Sequence, residues 1–284
     1  MSLRSQLGLI RRSILNASHR RLVAFGHHGP IVTFTFDDFP RTALTAGAPI
    51  LERFGARATY YVAMSLMNKR NELGEQFHHE DLVSLLARGH EIASHTFSHL
   101  SARRPTYDVF KRDQARGETA LCEILGIRAS GNFAYPYGEA TLEAKRKLGP
   151  ELLSSRGTCG GLNGPEVDLN LLRANHLYGD VGQAKAAQQL ILENEKKKSW
   201  LIFYTHDVAP DPSPYGCTPE LIEAVCSFAA ARRARFMTVA QVIKQLVPQV
   251  SPQAPTLNNR SIEQTSFTSG YASQEQDRTV LHHA

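Results

Sequence analysis

The sequence predicts an α/β protein whose parallel sheet curls into a closed or partly closed barrel. Three observations carry that expectation. Apolar, β-branched and aromatic runs alternate with amphipathic segments from about residue 31 to 247, the pattern of strand–helix units that pair in parallel. Six to eight such units favour a barrel over an open sheet. Polar residues able to do chemistry also recur where the apolar runs stop, and a barrel of this kind gathers its site at those strand ends.

The elements follow in order. Ile31-Val32-Thr33-Phe34-Thr35-Phe36 reads as a strand and residues 46–54 as a helix. Residues 58–62 form a β-branched and aromatic strand. A helix over 81–88 stops at Gly89, a common C-terminal signal. Residues 91–94 form a short strand, and 107–125 a long helix ending before Gly126. The unit repeats at 133–135 and 140–148, with a further strand at 152–154. Residues 157–165 hold five glycines or prolines and read as a loop. A helix over 184–198, a strand over 200–204, a helix over 219–229, a short strand at Phe236 and a helix over 239–246 complete the series.

Composition divides the chain into three parts: 1–30, 31–247 and 248–284. The net charge is +5. Residues 1–30 carry Arg4, Arg11, Arg12, Arg20 and Arg21 and no acid, so the remaining 254 residues balance to zero. A neutral body excludes nucleic acid as the expected substrate. Leu3, Leu7, Ile10 and Ile14 recur at helical spacing between the arginines, which predicts a basic amphipathic helix. Weak peripheral contact of residues 1–22 with an anionic membrane is a second reading. Arg11-Arg12 interrupts any secretory apolar stretch, and no run reaches the length of a membrane span, so a cytoplasmic, at most membrane-peripheral, location is expected. The four cysteines lie far apart and read as free thiols. Residues 248–284 are rich in Ser, Gln, Thr and Pro and read as a disordered tail.

Two motifs carry the chemistry. Asp37-Asp38 ends the first strand, and His95 and His99 follow the strand at 91–94. A spacing of four puts both imidazoles on one face of a helical turn. Two imidazoles and a carboxylate make a metal set with positions left open for water and substrate. The second carboxylate of the pair is then free to act as a base beside the cation. The plainer readings, capping or solvated histidines and a polar strand end, stay open on either motif alone. His206 closes the strand at 200–204 and reads as a proton donor. Phe133-Ala134-Tyr135-Pro136-Tyr137-Gly138 is a strand end and rigid turn able to present a backbone N–H to an oxyanion.

Together these segments resemble the polysaccharide deacetylases, carbohydrate esterase family four, which include the nodulation-type chitooligosaccharide deacetylases. The resemblance runs through Thr35–Asp38, Gly89–His99, Phe133–Gly138 and Thr205-His206-Asp207, and spans roughly residues 31–245. It implies a deformed (β/α) barrel with irregular closure. It implies Asp37 as general base, and Asp38, His95 and His99 as ligands of one divalent metal ion, zinc first, with iron, cobalt or nickel as alternatives. Tyr137 is implied as the oxyanion N–H donor and His206 as general acid. The implied activity is hydrolysis of N-acetyl or O-acetyl groups on an amino-sugar oligosaccharide, polysaccharide or glycoconjugate. An allantoinase-like amide hydrolase and an inactive carbohydrate-binding relative are the alternatives. The chain departs from the family pattern at three points. Ala134 stands where many members have an Arg that orients the base, and Arg173, with Asp168 nearby in sequence, is expected to replace it. Tyr204 stands where an aliphatic residue often lines the acetyl-methyl pocket. The tryptophan-bearing fourth motif is missing, since Trp200 is the only tryptophan.

Overall fold

A computed structural model describes residues 11–26, 28–126 and 129–247. The expectations for residues 1–10 and for the tail at 248–284 lie outside the described residues. Residues 11–17 form a helix, α1. Next come β1 (Leu22–Ala24), β2 (Ile31–Asp38), α2 (Ala48–Arg53), β3 (Thr59–Val62) and a small ribbon of β4 (Arg70–Asn71) and β5 (Gly74–Glu75). They are followed by α3 (His79–Ala87), β6 (Glu91–Ser94), α4 (Tyr107–Leu125), β7 (Asn132–Ala134), α5 (Leu142–Lys147), β8 (Ser154–Arg156) and β9 (Glu166–Asp168). The last are β10 (Asn175–His176), α6 (Ala184–Lys197), β11 (Trp200–Thr205), α7 (Pro219–Ala231), β12 (Arg235–Phe236) and α8 (Val239–Leu246).

The main sheet runs β10-β11-β2-β3-β6-β7-β8, with β12 paired to the first half of β2. Every pairing in it is parallel. The sheet curls without β8 and β10 pairing to each other. The segment between β9 and β10 covers the gap, where Leu172 N–H donates to the Ser155 carbonyl at 2.7 Å. The result is a deformed (β/α) barrel with incomplete closure.

The alternation along β2 sorts its side chains. Val32, Phe34 and Phe36 pack outward with Leu51, Leu201 and Leu221 in the layer under the helices. Ile31 packs inward with Tyr61, Trp200 and Ile202. Asp37 has the parity of Ile31, so its carboxylate faces the barrel interior. Strands buried on both faces are what a parallel sheet covered by helices requires, and all eight residues of β2 are buried. Trp200 fills the interior and donates its indole N–H to Thr33 Oγ1 at 2.8 Å. At the amino end of the strands Glu91 is buried and accepts bonds from Thr59 Oγ1, Asn132 Nδ2 and Ala240 N–H. The last donor lies in the first turn of α8, a setting that favours a carboxylate.

The strand expected at 152–154 lies two residues later, at Ser154–Arg156. Leu152-Leu153 is the more apolar stretch, but Ser154 Oγ donates to Asn132 Oδ1 at 2.7 Å and sets the register with β7. That shift brings Arg156 into the sheet. Strands β1, β4, β5, β9 and β10 are two or three residues long, too short to show a period in sequence.

Helix α4 crosses directly over the loop that follows β6. A side-chain carbon at Gly117 would stand 2.6 Å from the Thr96 carbonyl carbon, so only glycine lets the two backbones approach. Gly117→Ala is expected to lower stability by about 1–3 kcal/mol and to weaken metal binding by displacing the loop that carries His99. Thermal denaturation with and without added Zn2+ checks both effects; an unchanged midpoint in both states would refute the contact.

A candidate metal and acid–base site

The chemistry-bearing residues come together at the carboxyl ends of the strands, in a cleft of about 580 Å³. Asp37 and Asp38 end β2, His95 follows β6, and His206 follows β11. All four line the cleft together with His99, Tyr137 and Tyr204.

The two aspartates share one cavity because the strand breaks its pleat there. Asp38 and Phe39 have φ of 64° and 72°, the left-handed region that costs non-glycine residues about 1–2 kcal/mol each. His95 and His99 are not on a helix, contrary to the expectation from their spacing. The loop bends through left-handed Thr96 (φ 66°) and His99 (φ 54°) and returns the second imidazole to the first. Their ring centroids are 5.0 Å apart. Leu100 N–H donates to Thr96 Oγ1 at 3.0 Å and closes the bend.

Asp38, His95 and His99 each offer a ligand atom within 4.8 Å of the others. His99 Nε2 lies 3.2 Å from Asp38 Oδ1, and His95 Nε2 lies 3.7 Å from it. Ligands bound tetrahedrally at about 2.1 Å stand about 3.4 Å apart, so the spacing fits an ion of that size. His95 Nδ1 lies 2.7 Å from the Ala134 carbonyl. A proton there assigns Nδ1 as donor and leaves Nε2 as the ligand atom. Asp38 Oδ1 is buried with no hydrogen-bond partner. Burial pushes the Asp38 carboxyl up to about 7, with Asp37 and Glu72 adding to that shift and His206 opposing it. Burial pushes His95 down to about 3 and lowers His99 as well. Neutral imidazoles beside an unpartnered buried carboxylate form a donor set suited to a divalent cation.

Asp37 is in the opposite electrostatic state. Burial is the largest single influence and raises its carboxyl, but Arg156, His95 and His206 together outweigh it and hold the carboxyl below its ordinary value. The fully buried Arg156 guanidinium pairs through Nη2 with Asp37 Oδ1 and donates from Nη1 to the Gly157 carbonyl at 3.0 Å. It lies over the Tyr61 and Tyr204 rings, at 4.8 and 5.2 Å from their centroids. Arg156 therefore occupies the place for which Arg173 was expected. Arg173 is exposed and donates to the Gly160 carbonyl at 3.0 Å, away from Asp37. Asp168 also lies elsewhere. It accepts from the Arg21 backbone N–H at 3.0 Å and pairs with buried Lys145 at 2.7 Å, which ties β9 to the amino-terminal segment.

His206 is half-buried, and its Nδ1 lies 3.1 Å from the Tyr215 carbonyl. A proton on Nδ1 leaves Nε2 for the cleft. Tyr137 has φ of 59°, and its exposed ring packs on His99 with centroids 4.5 Å apart. Gly138 keeps that turn closed, since a side-chain carbon there would meet Thr158 Oγ1 at 2.0 Å. Tyr204 is buried beneath Tyr178, edge to face at 5.6 Å. Sequence reading does not find Tyr178, Tyr215 and Glu72, which line the cleft, or Arg156, which is buried beneath it. Arg156 alone left a signal, a charged residue immediately after Ser154-Ser155 in a buried stretch.

Residues 26–150 match the family model described as polysaccharide deacetylase. That stretch of the chain carries the pattern of the polysaccharide deacetylase model. Enzymes of the family that this model describes are in general metal-dependent hydrolases. No curated protein matches it. Among solved structures it is similar to a Mycobacterium smegmatis chain described as a polysaccharide deacetylase, with TM-score 0.53 and 19% identity over 77% of this chain and 90% of that one. It is also similar to the Xyl-CE4 domain of a multidomain xylanase from the hindgut metagenome of Trinervitermes trinervoides, with TM-score 0.52 and 16% identity over 76% and 90%. A family 4 acetyl xylan esterase from Clostridium thermocellum, in complex with a cobalt ion, aligns with TM-score 0.50 and 20% identity over 76% and 91%. At these identities the likeness to the solved structures establishes the fold alone.

The raised Asp38 carboxyl makes a pH prediction. A proton and a cation compete for Asp38, so Zn2+ affinity is expected to be level above about pH 7 and to fall about tenfold per unit below it. Calorimetric titration from about pH 8 to about pH 5.5 checks this. Asp38→Asn is expected to lose both the binding and the pH dependence.

Proposed function

We propose that this protein is a metal-dependent deacetylase acting on N-acetyl, or alternatively O-acetyl, groups of an amino-sugar oligosaccharide, polysaccharide or glycoconjugate. The observation that carries the reading is the division of labour between adjacent aspartates. Asp37 is held ionised by Arg156, while Asp38 faces two neutral imidazoles with an unpartnered oxygen. Asp38, His95 and His99 would hold the ion, zinc by default, with iron, cobalt or nickel also compatible with the set. When bound, the ion supplies polarisation of the acetyl carbonyl and activation of the attacking water.

The protein's own residues do the rest. Asp37 takes a proton from water as its oxygen bonds to the acetyl carbon. The Tyr137 backbone N–H is assigned to the developing oxyanion. His206, oriented by the Tyr215 carbonyl, gives a proton to the leaving nitrogen as the carbon–nitrogen bond breaks, and the products are acetate and a free amine. Tyr204 and Tyr178 wall the cleft beside Asp37 and confine the acyl group. The carbohydrate class of substrate is supported by the match of residues 26–150 to the polysaccharide deacetylase model and by the aromatic walls of the cleft. No described helix is long and apolar enough to cross a membrane.

Acetate release from N-acetylglucosamine oligomers, measured alongside metal content, tests these roles. Asp37→Asn is expected to keep its metal and lose activity by about 10²–10⁴-fold, whereas His95→Ala loses both. Full activity in Asp37→Asn would overturn the role given to it. Arg156→Met removes the cation that lowers the Asp37 carboxyl, so the acid limb of the pH–rate profile should move to higher pH by about one unit or more. Arg156→Lys should move it less. An unshifted limb in a folded, metal-loaded Arg156→Met protein would exclude Arg156 as the residue that positions the base.

A further inference from the structure

The β4–β5 ribbon stands over the metal-ligand set, and its tip is acidic. Asn71, Glu72 and Leu73 all line the cleft. Leu73 N–H and Gln76 Nε2 both donate to Asn71 Oδ1 at 2.9 Å, and Leu73 is buried. Exposed Glu72 is thus held between two anchored neighbours. The ribbon is also stitched to the chain just beyond Asp38. Arg41 N–H donates to the Glu75 carbonyl at 2.8 Å, and Phe77 N–H donates to the Phe39 carbonyl at 3.2 Å. Glu72 is therefore presented to the cleft on a fixed support, and its charge is felt at both Asp38 and His99.

Among the described residues lining the cleft there is no lysine or arginine. Arg156 lies beneath it and is already paired with Asp37. The Arg104 guanidinium stands over the Tyr137 ring, 6.0 Å from its centroid, and a substrate carrying carboxylate or phosphate groups would meet Glu72 with no lysine or arginine among the described lining residues. One carrying an ammonium group beside the acetamido sugar would meet the Glu72 carboxylate.

We propose that Glu72 is a specificity-determining residue that selects amino-sugar chains bearing free ammonium groups next to the acetylated unit. Partly deacetylated oligomers would then bind better than uniformly acetylated or acidic ones, and each deacetylation would improve the chain as a substrate for the next. The inference rests on the deacetylase reading and deepens it by naming the substrate's charge.

Two measurements on the whole 284-residue chain keep the two readings separable. Binding of glucosamine oligomers is measured by calorimetry at low and high salt, which requires no turnover. Wild type is expected to bind them about threefold more tightly than Glu72→Gln at low salt, with the difference shrinking as salt rises. Glu80→Gln, which removes the same charge from α3 outside the cleft, should bind like wild type. Equal binding by wild type and Glu72→Gln, or an equal loss in Glu80→Gln, would overturn the proposal. The second measurement is acetate release, as kcat/KM, from fully acetylated, partly deacetylated and uronate-containing acetylated oligomers. A wild-type preference for the partly deacetylated substrate that narrows by about threefold in Glu72→Gln supports the proposal; a preference for the acidic substrate overturns it. Absence of acetate release from every substrate would count against the deacetylase reading, while the binding ratio still decides the role of Glu72.

Discussion

The buried ion pair between Arg156 and Asp37 is the interaction around which the cleft is organised. A carboxylate on the inward face of a parallel sheet cannot stay charged without a partner. The guanidinium that supplies one is itself buried, between the Tyr61 and Tyr204 rings. Removing two charges from water costs more than a surface pair returns, so the pair is better understood as positioning than as stabilisation. It holds one acid ionised beside a second acid that has no such partner. It also gives Tyr204 a role: the ring that replaces a smaller aliphatic group is one of the two that support the guanidinium.

Backbone strain is concentrated in the same place. Nine non-glycine residues among those described have left-handed φ, and five of them, Asp38, Phe39, Thr96, His99 and Tyr137, lie at the cleft or directly beside it. Each costs on the order of 1–2 kcal/mol, and the close-packed barrel beneath must offset that cost. Gly117 and Gly138 let neighbouring backbone and side chains approach closely enough to hold the bends at Thr96 and Tyr137. The strained turns do what a regular strand end or helix would not: they aim adjacent or nearly adjacent side chains into one cavity.

Much of this was legible in the sequence. The alternation of strands and helices, and with it the barrel, follows from periodicity that is strong in β2, β11, α4 and α7. Asp37, Asp38, His95, His99 and His206 were found because they end apolar runs, and the structure collects them in one cleft. A spacing of four does not imply a shared helical face in a loop, and His95 and His99 meet instead through the left-handed bend at Thr96 and His99. Arg173, the partner of Asp37 that sequence position suggests, is exposed and bonds to the Gly160 carbonyl instead. The strands carrying Arg156 and Asp168, and the ribbon carrying Glu72, are two or three residues long, below the length at which periodicity is visible.

The sequence by itself determined the architecture and the chemical inventory: a parallel α/β barrel, strand ends bearing acids and imidazoles, and a family pattern in the order of its motifs. Only the tertiary structure decided which groups are partners. Asp37 and Arg156 are 119 residues apart, and no local rule connects them. They meet because β8 takes its register beside β7, where Ser154 bonds to Asn132. Charge states in the cleft depend in turn on burial and on those distant partners, both properties of the closed fold rather than of any segment.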